Sequence, residues 1–422
     1  MKVLGLITEY NPFHNGHLYH LNKSIEITGA THTVAVMSGN FLQRGEPALV
    51  HKWQRAKMAI ECGVDLVIEL PTAYACATAE LFAFGSINLL HNLGVIDCIA
   101  FGSEYGKIST LEMIADILFK SPLSFENSLK SYLKEGLPFP AARSKALIDF
   151  YKFCHSNGCD EESMNIESIM NNPNNILSIE YLKALKRLGS TILPYTIPRV
   201  KAAYHSKNMT SDISSATAIR EHLKMRKPLE DLRKVMPSVS HKLLKEAYEA
   251  GIAPVFKEDF EHTILTILRR ENSVGLAEYF DVNEGLENRI YECSHHCSSI
   301  ESLYNCIKSK RYTLTRIQRI CMHALLNLKK KDLLRFNHEG GPQYIRALGF
   351  NNKGREILKS CKSKSKLPII NKINQYIPSD ETAKELLELD IRATNIYTLA
   401  LKNHFFSSKP LDYYQSPYYA RK

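Results

Sequence analysis

Short runs of β-branched and apolar residues alternate with helical stretches over the first two hundred positions, and no other feature limits the fold so tightly. The runs are residues 3–7, 33–37, 65–70 and 98–101. Continuous apolar runs of this length suit strands buried on both faces of a parallel sheet. Between them, residues 17–28, 53–62 and 79–90 carry helical patterns. Strand–helix–strand repetition predicts a Rossmann-like, doubly wound α/β sheet. Residues 191–195 read as a further strand and 216–227 as the helix that closes this unit.

After about residue 235 the pattern changes. Leu-rich and Lys-rich helical stretches follow one another at 242–250, 260–270, 298–309, 313–328 and 383–387, with few convincing strands. A chain of 422 residues is too long for one core, so two domains are expected. Residues 1–235 form the α/β unit and 236–422 a mainly α-helical one. No repeat and no Pro/Gly/Ser linker separates them, so they should pack directly together.

Charge follows the same division. Residues 1–200 carry 17 Lys and Arg against 19 Asp and Glu, whereas 201–422 carry 37 against 25. Within residues 308–372 the count is 17 basic against 3 acidic. Such asymmetry is expected where one domain does chemistry and another holds a polyanion, and a block this concentrated favours nucleic acid over a merely solvated face. The apolar stretch 81–96 is too short for a bilayer and is interrupted by Ser86, Asn88, His91 and Asn92. Residues 3–7 are too short for a signal peptide and run into Glu9. No membrane association is expected, and the location is cytoplasmic. Ten scattered cysteines then read as reduced thiols. The cluster Cys293-Ser294-His295-His296-Cys297 lacks the second ligand pair of structural zinc, and reads as a helix end carrying two thiols. No metal ligands are assigned.

The strongest local signal is Glu9 to His17, which follows the first strand and opens a helix. Free N–H groups and the helix dipole favour a phosphate there. In His14-Asn15-Gly16-His17, both imidazoles can face that phosphate, and Gly16 lets a nucleotide approach the backbone. Pro12 fixes the turn. The histidines can donate to an α-phosphate as charge builds on it in an in-line displacement. A second helix start lies downstream at 214–220, where Ser214 and Ser215 can cap the helix and Arg220 lies one turn in, within reach of outer phosphates or departing pyrophosphate. The plain alternative there is a Ser-capped helix with a surface arginine, and the pairing with the histidines argues against it.

His14-Asn15-Gly16-His17 resembles the HIGH-type signature of the nucleotidylyltransferase superfamily. Over nearly its whole length the chain resembles the bacterial tRNA(Met) cytidine acetate ligases, through segments 9–20, 38–47, 52–53, 65–71, 101–104, 173–176, 214–220 and 344–350. One departure is that Ala216 and Thr217 stand between the serines and Ala218-Ile219-Arg220, which loosens the assignment of Ser214 and Ser215.

That resemblance implies a nucleotidylyltransferase domain followed by a basic tRNA-binding domain. It implies a ligase that joins ATP and acetate into acetyl-adenylate, releases pyrophosphate and passes the acetyl group to the wobble cytidine of elongator tRNA(Met), giving N-acetylcytidine. His14, His17 and Arg220 would be catalytic. ATP would be bound by Ile7, Thr8, Glu9, Tyr10, Asn11, Pro12, Phe13, His14, Asn15, Gly16, His17, Leu18, Tyr19 and His20, with Gly102, Asn174 or Asn175, Arg199, Ser214 and Ser215. Magnesium is expected with ATP, held mainly by phosphates and water. Gln43, Arg44 and Glu46 would close over acetate. Tyr312, Arg316, Arg319, Lys329, Lys330, Lys331, Tyr344, Arg346, Lys353 and Arg355 mix cations with aromatics in the manner of an RNA surface, although Tyr344 also suits a helix core.

Three other readings fit part of the pattern. A small-molecule adenylyltransferase of cofactor biosynthesis explains the histidines but not the basic domain. An aminoacyl-tRNA synthetase-like activator would carry a Lys-Met-Ser-Lys-Ser-type loop, where this chain has 214–220. A non-catalytic tRNA-binding protein has no use for two intact phosphate motifs.

Overall fold

The computed structural model describes residues 1–154, 161–199 and 215–421. Its first strands coincide with the apolar runs: β1 (Val3–Thr8), α1 (Asn15–Thr28), β2 (His32–Ser38), then a small hairpin of β3 (Phe41–Leu42) and β4 (Glu46–Pro47). There follow α2 (Lys52–Glu61), β5 (Leu66–Leu70), the single turn α3 (Thr72–Ala75), α4 (Ala79–Leu93) and β6 (Cys98–Ser103). Every residue of β2 and β5 is buried, as expected for parallel strands covered on both faces. Thr78 caps α4 at its start and Gly94, in the left-handed region, stops it.

Between β6 and its neighbour β7 (Leu193–Pro198) run five helices: α5 (Ile108–Lys120), α6 (Leu123–Lys134), α7 (Phe139–Cys154), α8 (Glu161–Asn171) and α9 (Pro173–Arg187). Next come α10 (Ala216–Lys224), α11 (Ser238–Glu249), α12 (Glu261–Arg270), α13 (Ser273–Ala277), α14 (Leu286–His296), α15 (Ile300–Ile307), α16 (Leu314–Leu326) and α17 (Lys330–His338). This is the helical layer that the Leu-rich spacing predicts.

The chain then returns to the sheet through β8 (Ile345–Phe350), α18 (Asn352–Cys361) and β9 (Ile369–Ile370), and ends with α19 (Glu381–Thr398), α20 (His404–Ser407), α21 (Leu411–Tyr414) and β10 (Tyr418–Tyr419). Strand order is β10-β8-β5-β2-β1-β6-β7, with β9 also on β8. Within this sheet all pairings are parallel except β5 with β8. The α/β layer therefore draws strands from both sides of residue 235.

β8 carries Arg346 into the core, where it meets Glu69 of β5 (3.1 Å) and Asp412 of α21. Lys52 of α2 meets the same two carboxylates at 2.7 and 2.9 Å. Two cations thus face two anions with no solvent between, an arrangement that keeps buried charges viable. Tyr344, just before β8, donates to Asp390 of α19 (2.6 Å). In the helical layer, Cys293 of α14 is joined to Cys306 of α15 by a disulfide. This corrects the all-thiol expectation: the two helices pack side by side, with the Cα atoms 5.9 Å apart. Cys297 is a buried free thiol.

Candidate active site

The loop after β1 turns at Tyr10, whose φ of 46° lies in the left-handed region. Its ring packs under Phe13 (4.7 Å) and against the edge of His17 (5.0 Å). His14 is the N-cap of α1. Its Nδ1 accepts from Gly16 N–H (3.0 Å), and its own N–H donates to Nδ1 of His17 (3.3 Å). A capping box built from two histidines fixes both ring orientations. It also fixes the tautomer: with each Nδ1 an acceptor, each neutral ring carries its proton on Nε2. The rings stack with centroids 3.8 Å apart.

Burial first, and then the guanidinium groups of Arg199 and Arg220, bring the His14 imidazole down to about 3. His17 lies well below its usual range through burial, His14 and His20. Both are therefore neutral N–H donors at pH 7, standing between two arginines that supply the charge.

Arg220 reaches this loop from α10. It donates to Asn11 O (3.2 Å) and faces Glu46 of the hairpin (3.5 Å). Ser215 caps α10, accepting from Ala218 N–H (3.1 Å); Ser214 lies outside the described residues. The segment after α10 clasps the same loop: Asn15 donates to Val235 O (3.0 Å) and Lys234 O (2.9 Å), and Ser240 to Phe13 O (2.7 Å). The two motifs, two hundred residues apart in sequence, form one cleft at the carboxyl edge of the sheet, where doubly wound folds bind ligands.

On the other side of the cleft lies Gly102, one residue before the end of β6, and a side chain there would press on Arg199 Cγ at 3.3 Å. Arg199 donates to Asn174 Oδ1 (2.7 Å). Asn175 turns inward and accepts from Tyr105 N–H (3.1 Å). Of the asparagine pair, Asn174 is the one beside Arg199. Within 7–20, Asn11 Oδ1 accepts from Leu49 N–H (2.7 Å) while its Nδ2 is buried with no hydrogen-bond partner among the described residues, and Phe13 is core. Ile7 and Thr8 finish the strand, and Tyr19 points outward. His20 is held at about 4 by burial and by Arg199.

Glu9 accepts from Gln43 N–H (2.8 Å), which brings the Gln43–Glu46 loop against the loop after β1. Burial raises the Glu9 carboxyl, against the pull of that N–H, Arg44, Arg220 and Arg55. Gly45 makes the loop possible: its φ is +76°, and a Cβ there would sit 2.3 Å from Arg319 N of α16.

Two organising residues carry no sequence assignment. Arg55 of α2 is fully buried and donates to Glu9 O (2.6 Å), Val50 O (2.9 Å), Ser38 O (3.0 Å) and Gly39 O, tying the ends of β1 and β2 together. Glu104 accepts from the Asn174 and Asn175 backbone N–H groups at 3.3 and 2.9 Å. Glu104 lies in the 101–104 segment that resembles the ligases. Arg55 leaves no such trace, because its partners are all backbone carbonyls.

The basic block divides. Tyr344 and Arg346 are core, Tyr312 is buried with its hydroxyl on Glu284 O (2.7 Å), Arg316 donates to Asp281 O (3.0 and 2.8 Å), and Arg319 pairs with Asp281 (3.2 Å). Lys329 pairs with Glu278 (3.4 Å). Lys330, Lys331, Lys353 and Arg355 are exposed. Among the described residues no three His, Cys, Asp or Glu side chains cluster as a metal site, and no helix is long and apolar enough to cross a membrane.

The sequence profile of the HIGH Nucleotidyl Transferase family matches residues 1–410. The chain is 52% identical over all of its length to the tRNA(Met) cytidine acetate ligase of Alkaliphilus metalliredigens, all of which is covered. It is 48% identical to that of a Thermoanaerobacter species, over 96% of each chain. Among solved structures, Thermotoga maritima TmcAL bound with alpha-thio ATP superposes with a TM-score of 0.93 at 36% identity, and its apo form with 0.95, each over 100% of both chains.

Proposed function

The chain belongs to the HIGH nucleotidyl transferases, among the tRNA(Met) cytidine acetate ligases, and from this membership we propose how its cleft performs the reaction. It is an ATP-dependent tRNA-modifying ligase. An acetate oxygen attacks the α-phosphorus of ATP while the bond to the β-phosphate oxygen breaks, giving acetyl-adenylate and pyrophosphate. The exocyclic amine of the wobble cytidine in elongator tRNA(Met) then attacks the acetyl carbon. AMP leaves, and the amine proton passes to solvent.

Acetate needs no base to act as nucleophile, so the first step rests on positioning and charge neutralisation. The Nε2–H groups of His14 and His17 donate to the α-phosphate oxygens as they gain charge. Being neutral, they act as directed dipoles. Arg220 exchanges its contacts with Asn11 O and Glu46 for the pyrophosphate, and Arg199 neutralises the phosphate chain from the Gly102 side. Magnesium would enter with ATP, held mainly by phosphates and water. A tRNA substrate fits a cytoplasmic location.

The observation that carries this reading is the double-histidine cap with Arg220 drawn onto its loop. Acetate-dependent exchange of labelled pyrophosphate into ATP, run against a panel of carboxylates, tests the first step. Acetylation of tRNA(Met) tests the second. Exchange that ignores acetate, or that requires a phosphorylated small molecule, overturns the reading.

A further inference from the structure

Residues 352–372 hold seven Lys and Arg against a single acid, Glu356. Glu356 is occupied by His32 (3.1 Å), and Lys353 by Thr31 O (3.0 Å). The other six, Arg355, Lys359, Lys362, Lys364, Lys366 and Lys372, are all exposed and form no ion pair with a described residue. In the helical layer, by comparison, Arg316, Arg319 and Lys329 are bound to neighbouring groups, and only Lys330 and Lys331 of the cations named above stand exposed.

The position of this group is fixed by four contacts. Asn351 N–H binds Asp65 O (3.0 Å), ahead of β5. Lys353 binds Thr31 and Glu356 binds His32, at the start of β2. Lys366 N–H binds Asn92 O (2.9 Å), at the end of α4. All four partners lie at the amino edge of the parallel strands, whereas the nucleotide loops leave the carboxyl edge. At about 3.3 Å per residue, the six-residue β1 separates the two edges by roughly 17–20 Å. A cytidine presented to the acetyl group at one edge cannot also occupy the other.

Resting on the function given above, we propose that α18 and the Lys-Ser turn after it form a second phosphate-binding face, which holds the backbone of the folded tRNA outside its anticodon arm. Five unneutralised cations spread along a ten-residue helix, about 15 Å long, and the following turn, with Lys372 just past β9, match a row of phosphodiesters better than one discrete anion. Five of the six are lysines, point charges that position an RNA backbone without reading bases. A groove lined by Lys362, Ser365, Lys366 and Asn371 runs beside them. The enzyme would thereby select a whole tRNA body in addition to an anticodon loop.

The test uses the full chain with Lys359→Glu, Lys362→Glu and Lys364→Glu combined. Affinity is measured at several salt concentrations for full-length tRNA(Met) and for its isolated anticodon stem-loop, alongside acetate-dependent pyrophosphate exchange without RNA. The expected result is at least a tenfold loss of affinity for full-length tRNA, with the log affinity–log salt slope flattened by roughly two to three units. Stem-loop affinity and exchange should stay at wild-type values. Equal losses for both RNAs, or no loss for either, overturn the proposal. So does unchanged tRNA affinity with lost adsorption to anionic phospholipid vesicles, which would assign the face to a membrane. Failure of the underlying function is seen separately, as wild-type protein that acetylates no RNA.

Discussion

At the scale of single residues, the two histidines are remarkable only for their bonds: each gives its Nδ1 to the cap and keeps an Nε2–H for a ligand. His14→Ala or His17→Ala should lower acetate-dependent pyrophosphate exchange by about 10²–10³, the usual cost of one preorganised donor, and leave tRNA affinity nearly unchanged. Arg220→Ala should raise the KM for ATP about tenfold or more, as expected for charge-assisted bonds to phosphate, with little change in KM for acetate. The opposite split in a steady-state titration would place Arg220 at the carboxylate. Stability should also respond to pH with a definite sign. Burial holds His14 at about 3 and His51 at about 4 in the folded chain, against about 6.5 when unfolded. Below pH 6.5 the unfolded chain takes up protons that the folded one refuses, so stability falls between pH 6.5 and about 4. Each histidine contributes up to about 1.4 kcal/mol per pH unit. Urea midpoints at pH 7.5, 6 and 5 should therefore decline in that order.

At the scale of elements, β8 shows where sequence pattern stops being informative. The strands β1, β2, β5 and β6 are legible because their apolar runs need no partner to explain their burial, whereas β7 is a half-exposed edge strand with only Ile197 buried. Arg346 interrupts β8, and in a block of 17 cations it reads as an RNA contact. Only Glu69 and Asp412, 277 and 66 positions away, make its burial tolerable. The five helices between β6 and β7 were invisible for a related reason, since the strand pattern does not encode the length of a crossover. In the site, the histidine loop was legible from its place between strand and helix. Arg55 was not, because carbonyl partners have no residue type. If Arg346 is a core cation, Arg346→Met should lower unfolding free energy by about 3–5 kcal/mol by leaving Glu69 and Asp412 under-compensated. The variant that remains folded should bind tRNA with unchanged salt dependence, and a slope lowered by about one unit would instead make Arg346 a phosphate contact.

At the scale of the whole molecule, charge and composition suggest two domains joined near residue 235, yet the sheet runs through both. β8 pairs with β5 over Leu66–Glu69, α21 supplies Asp412 to Lys52, and Ser240 holds the carbonyl of Phe13 in the histidine loop. A fragment of residues 1–235 would expose the edge of β5 along a fully buried strand. It would also reduce the buried four-charge cluster to the Lys52–Glu69 pair, laid open where Arg346 and Asp412 had covered it, and strip the clasp from the nucleotide loop. The fragment should therefore show no cooperative urea transition and no acetate-dependent exchange, even though it contains every residue placed against ATP. Adding residues 236–422 in trans should restore both, in proportion to its concentration, because the missing contacts are non-covalent. A fragment that unfolds cooperatively and exchanges pyrophosphate at the full-length rate would show that activation is local to the first 235 residues. In that case β8 would be an ornament on a sheet already complete, and the basic segment could have been acquired for RNA alone. The continuous strand order argues the other way: RNA-holding α18 hangs directly from β8, so the surface that receives the tRNA is built on a strand of the same sheet whose opposite edge activates the acetate.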